Sequence, residues 1–265
     1  MFIEYTLNSV WQGFIVMRVI WFIVILFLCG CYAPITVPDT FQYEEIQTAR
    51  FKLASWQKIT DKKAPIKFYI EGDGAAFNAS GQPTQNPTPK GKMIRELAFG
   101  DTSPNVVYLA RPCQYVKDNM CRQKYWTTAR FAPEVVFSSY EAIKKIAGDR
   151  DVILIGFSGG AQVAGLVSVL YDDLKIKKLI TVGGNLDHQS WTSYHHLPAL
   201  TGSLNLTNYR EKYLTYPQVH YAGEKDNIIP SQLIADFAGN KNTVVVKGAS
   251  HGEGWEEIYL RIWAE

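Results

Sequence analysis

Short apolar runs alternate with longer segments whose apolar residues recur every three or four positions, and this rhythm holds from just after residue 45 to the end. The runs at 66–70, 105–110, 151–155, 178–182, 218–222 and 243–247 have the length and β-branched content of strands. Gly72-Asp73-Gly74 stops the first of them, and a loop rich in Asn, Gln, Pro and Thr follows over 75–91. Pro133 opens a helix with Val136, Tyr140, Ile143 and Ala147 on one face. Further helices are expected over 161–171, 231–238 and 256–263. Asp151-Val-Ile-Leu-Ile155 has no polar alternation after its first residue, as in a parallel strand covered on both faces. Strands alternating with helices predict an α/β fold: a doubly wound, mostly parallel sheet with helices on both faces.

The first thirty residues follow another pattern. Arg18 precedes an unbroken apolar run, Val19 to Leu28, and then Cys29-Gly30-Cys31. Ten residues are too few to cross a hydrocarbon core about 30 Å thick as a helix, which favours a signal-peptide core. The ending resembles a bacterial lipoprotein signal, with Cys31 as the residue that receives lipid. Residues 1–16 carry only Glu4 as a charge, so Met17-Arg18 makes the better start of such a signal. The competing reading is an uncleaved anchor. The expected organisation is a signal over 1–31, a tether over 32–48 with Pro34 and Pro38, and one domain over 49–265.

Composition narrows the partners. The formal charge is +2 with both signs interspersed, which gives no clustered basic face for nucleic acid. Beyond the signal only Cys113 and Cys121 remain, eight positions apart in a polar stretch. An exported chain is expected to oxidise such a pair to a disulfide, the alternative being two free thiols. No signature of a metal or nucleotide site appears, and no cofactor is expected.

The chemistry concentrates after three strands. Gly156-Phe157-Ser158-Gly159-Gly160 follows the most apolar strand and opens a helix. A nucleophile elbow needs that strand–turn–helix setting, with small residues where the chain folds back on itself. Gly159 then places a backbone N–H beside the serine, at a helix start that favours negative charge. A serine hydroxyl needs a base to take its proton, and the base needs a third group to fix its tautomer. His251, after the last strand, is the candidate base. Asp226, just past the preceding strand, is the candidate acid, with Asp187 the alternative and Glu224 expected to face solvent. His188, His195, His196 and His220 read as packing or surface residues.

The elbow, the acid loop Gly223-Glu-Lys-Asp-Asn-Ile-Ile-Pro230 and the turn Ser250-His-Gly252, in that order, resemble the α/β-hydrolase family over roughly residues 50–265. Glu71-Gly-Asp-Gly74, Arg111-Pro-Cys113 and Tyr125-Trp-Thr-Thr-Ala-Arg130 are similar to a subgroup of bacterial hydrolases that are often lipoproteins. The resemblance implies a serine hydrolase acting on small-molecule or lipid-like carboxylic esters. A peptidase or amidase on the same triad, and a non-catalytic lipoprotein of the same fold, are the alternatives. The family commonly has His-Gly after its third strand, where this chain has Glu71-Gly72. The second oxyanion donor is therefore expected at Asp73 or Gly74, with Glu71 paired to a cation such as Arg111 or pointing away. Residues 184–215, rich in Trp and Tyr, are expected to form either a small cap or an ordinary crossover. Lipid on Cys31 implies a bacterial cell envelope, facing the periplasm.

Overall fold

The structure is a computed structural model and describes residues 36–265. The expected signal segment and Cys31 lie outside the described residues. Eight strands form one sheet: β1 Gln42–Gln47, β2 Lys52–Ile59, β3 Ile66–Ile70, β4 Asn105–Leu109, β5 Asp151–Phe157, β6 Lys175–Val182, β7 Gln218–Gly223 and β8 Thr243–Val246. Their spatial order is β1-β2-β4-β3-β5-β6-β7-β8. β1 and β2 run antiparallel to their neighbours, while β4, β3, β5, β6, β7 and β8 are parallel. Among the described residues, seven α-helices lie between and after them: α1 Met93–Gly100, α2 Pro133–Ala147, α3 Gly159–Leu170, α4 His188–Tyr194, α5 Arg210–Tyr213, α6 Ser231–Ala238 and α7 Glu256–Trp263.

Side chains alternate across β5, so it supplies both cores. Val152 and Leu154 join Val136, Ile143 and Leu166 of α2 and α3 on one face. Ile153 and Ile155 join Leu97 of α1 and Ile258 of α7 on the other. Full burial of each such side chain contributes about 1.5–3 kcal/mol. Several in succession outweigh the roughly 1–2 kcal/mol that one left-handed residue costs at the strand's end, and Ser158 is such a residue.

The sheet starts earlier than the sequence pattern suggests. β1 falls inside the segment expected to be a tether, and pairs Gln42 with Gln57 through to Gln47 with Lys52. It is an edge strand with five of its six residues exposed. No apolar stripe marks it, because its stability comes from the ladder to β2.

Candidate active site

The carboxyl ends of the parallel strands lie along one edge of the sheet. Ser158 follows β5 with φ 52° and ψ −123°, a left-handed conformation forced by the reversal into α3. Two glycines make that reversal possible. A Cβ on Gly156 would lie 2.5 Å from Ala161 Cα, and one on Gly160 would lie 2.3 Å from the Ile70 carbonyl. The turn is secured from outside: the Ser158 N–H donates to the Val182 carbonyl at 3.2 Å, and its carbonyl accepts from Asn185 N–H at 3.0 Å.

His251, reached from β8, sits with Nε2 3.0 Å from Ser158 Oγ and Nδ1 2.8 Å from Asp226 Oδ2. Asp226 follows β7, and its side chain is fully buried. Its other oxygen accepts from the N–H groups of Ile228 and Ile229 at 2.9 and 2.8 Å, so the carboxylate cannot rotate away from the imidazole. Phe157 packs along the imidazole with ring centroids 4.9 Å apart. Asp187 is placed elsewhere. It caps α4, accepting from the N–H groups of Gln189 and Ser190 and from Asn205 Nδ2. Glu224 is exposed and accepts from Gly248 N–H.

The turn after β3 lies against the serine. A Cβ on Gly72 would be 3.1 Å from Ser158 Cβ. The Gly72 carbonyl accepts from Gln114 Nε2 at 3.0 Å, while Gln114 Oε1 accepts from Arg111 N–H. In a trans peptide the N–H points opposite to the carbonyl. Gln114 therefore fixes the direction of the Asp73 N–H. Among the described residues, the N–H groups of Asp73, Gly74 and Gly159 donate to nothing, which leaves them open to a ligand oxygen. Gly74, the other expected donor, has φ 65°, and its open side faces the Pro87 carbonyl and Gln114.

Glu71, expected to pair with a cation such as Arg111 or to point away, makes no hydrogen bond to Arg111, although the Arg95 and Arg111 charges act on it. Glu71 is buried, accepts from its neighbour's Gly72 N–H at 2.9 Å and takes the Tyr108 hydroxyl at 2.5 Å. Burial raises its pKa against those hydrogen bonds. Asp73 claims both cations instead, with one carboxylate oxygen on Arg111 Nη1 and the other on Arg130 Nη1. Burial pushes the Asp73 carboxyl up, but the Arg130 and Arg111 guanidiniums outweigh it and hold the pKa below its ordinary value. The absence of a side chain on Gly159 leaves room for this ion pair, since a Cβ there would be 2.1 Å from Asp73 Oδ1 and 3.0 Å from Arg111 Nη1.

A cavity of about 600 Å³ opens onto Ser158 and His251, within the range of small-ligand sites. Trp191 and Phe77 are among its walls. Trp191 is fixed by its Nε1, which donates to the Ile228 carbonyl at 2.7 Å. Of the aromatics in 184–215, Trp191 lines this cavity, whereas Tyr213 is buried in the core and Tyr194 is 57% exposed. Cys113 and Cys121 form a disulfide, with Cα atoms 5.6 Å apart, in the loop that carries Gln114. Gln114 had no signal in the sequence, being a neutral amide in a polar loop. Arg111 and Arg130 stood in motifs that marked them without giving them a task.

Neither family models nor curated protein sequences match this chain. Solved structures do, at low identity. A Thermoplasma acidophilum protein predicted to be a CIB-like hydrolase is 17% identical over 84% of this chain and 96% of its own, with a TM-score of 0.57. Est1E from Butyrivibrio proteoclasticus is 14% identical over 84% and 96%, with a TM-score of 0.56. The esterase domain of a Rhodothermus marinus protein is 15% identical over 84% and 96%, with a TM-score of 0.53. The chain has the α/β-hydrolase fold.

Proposed function

We propose that this protein is a serine hydrolase that cleaves carboxylic esters through an acyl-enzyme, held at a bacterial cell envelope by lipid on Cys31. One observation carries the catalytic reading: the hydrogen-bonded line Asp226–His251–Ser158 ends at a cavity beside unclaimed backbone donors. His251 Nε2 takes the Ser158 proton as Oγ attacks the ester carbonyl carbon. Asp226 stabilises the imidazolium that forms, and the N–H groups of Asp73 and Gly159 hold the oxyanion. His251 returns the proton to the leaving alcohol as the C–O bond breaks. Water, deprotonated by the same imidazole, then releases the acid and restores Ser158. The esterase domain among the structural neighbours supports an ester as substrate class. The envelope reading rests on the apolar run ending in Cys29-Gly30-Cys31 and on a disulfide of the kind exported proteins keep.

One experiment addresses both halves. The full chain is expressed in a Gram-negative host, and its membrane fraction is treated with a fluorophosphonate probe. The probe is expected on Ser158 in the membrane fraction and absent in Ser158→Ala, whose ester turnover falls by several orders of magnitude. In cells grown with labelled fatty acid, the native chain is expected to incorporate it and Cys31→Ser to lose it. An unlabelled Ser158 ends the catalytic reading; labelled fatty acid that is absent from the native chain, or that persists in Cys31→Ser, ends the lipid anchor.

A further inference from the structure

Arg130 does more than hold Asp73. It is 4% exposed, and what remains exposed lines the cavity that contains Ser158 and His251. Nε donates to the Thr127 carbonyl at 2.7 Å and Nη1 pairs with Asp73. Among the described residues Nη2 donates to nothing, although it is not sealed from the cavity. The guanidinium carbon sits 5.5 Å from the centre of the Phe77 ring and 6.0 Å from that of Trp191, both cavity walls. A guanidinium steadied by two ring faces and two hydrogen bonds presents its last nitrogen in a fixed direction.

The neighbouring charges leave that nitrogen open. Two buried cations, Arg111 and Arg130, share the Asp73 carboxylate. The other carboxyl lining the cavity, Glu71, bonds to Tyr108 and Gly72 N–H, and its charge acts on Arg111. No carboxylate oxygen is hydrogen-bonded to Arg130 Nη2 among the described residues. One open guanidinium nitrogen at a cavity wall suits one anionic oxygen of a ligand.

We propose that Arg130 is a specificity-determining residue that binds a carboxylate on the substrate, making the substrates esters that carry a second, ionised acid group. This deepens the ester-hydrolase reading, though the binding half does not depend on turnover. Monomethyl adipate and its neutral terminal amide, methyl adipamate, differ only in that charge. Calorimetry on the Ser158→Ala protein is expected to show the acid bound about 10- to 100-fold tighter than the amide, the range of a hydrogen bond to a charged group. Arg130→Gln should remove the difference, while Arg130→Lys, which keeps the charge, should retain part of it. With Ser158 intact, kcat/KM for the two esters should split in the same direction.

Equal binding of acid and amide by the unaltered cavity overturns the proposal, and so does a preference that survives Arg130→Gln. Tighter binding of methyl butyl phosphate than of monomethyl adipate overturns the carboxylate assignment. Because the acid–amide comparison is made first with Arg130 in place, it does not depend on the variants folding. If the acid is preferred in binding yet neither ester is turned over, the hydrolase reading fails and the anion subsite stands.

Discussion

Two aspartates were open to His251, and their surroundings separate them. Asp226 gives one oxygen to the imidazole and the other to two backbone N–H groups, so its charge is held where an imidazolium will form. Asp187 spends its oxygens on the start of α4, on Ser190 Oγ and on Asn205. Asp226→Asn is expected to lower turnover of a small ester at neutral pH by about 10³–10⁴ with little change in KM, through loss of the correct tautomer. Asp187→Asn should cost less than about tenfold, since asparagine caps a helix nearly as well as aspartate. Steady-state kinetics on both variants checks the ranking, and the reverse order would move the acid to Asp187. Ser158, His251 and Asp226, which the structure brings together, were legible in the sequence because each stands at a strand end in a recognisable local pattern. Gln114 and the free face of Arg130 were not: a fixed peptide plane and an unshared guanidinium nitrogen depend on distant neighbours.

At the scale of elements, β6 and β7 are joined by more than their ladder. His220, on β7, is wholly buried, with Nδ1 2.8 Å from Thr181 Oγ1 on β6 and Nε2 2.8 Å from Gln218 Oε1. Burial lowers its pKa to about 4. The unfolded chain, with His220 near 6.5, then binds more protons than the folded one between those values, so stability falls as pH drops through that window. The loss from this residue should reach about 3 kcal/mol at pH 4. Urea unfolding at pH 7 and pH 4 should therefore show a steeper decline for the native protein than for His220→Gln. Parallel slopes would remove His220 as a source of acid sensitivity. Apolar strands were legible where both faces are buried, as in β5. β1 was missed because it is a polar edge. Lys67 shows the same limit within β3: it is buried and donates to the Ile262 and Trp263 carbonyls at the end of α7, a partner 195 positions away.

At the scale of the whole molecule, strand order could not be read from periodicity, yet it is what gathers the loops after β3, β5, β7 and β8 at one edge of the sheet. It also places the disulfide loop beside that edge. Cys113 immediately precedes Gln114, and Gln114 alone fixes the Gly72 carbonyl among the described residues. The disulfide thus closes the loop that holds the peptide plane beside Ser158. Opening the bond should lower stability by about 2–3 kcal/mol through the freed loop. It should also lower kcat about tenfold with KM nearly unchanged, because a wavering peptide plane weakens the oxyanion contact more than ground-state binding. Kinetics of the Cys113→Ser/Cys121→Ser protein tests this, and an unaltered kcat would uncouple the two. If the coupling holds, reduction of this one bond acts as a dimmer and not a switch, slowing a site whose own residues stay in place.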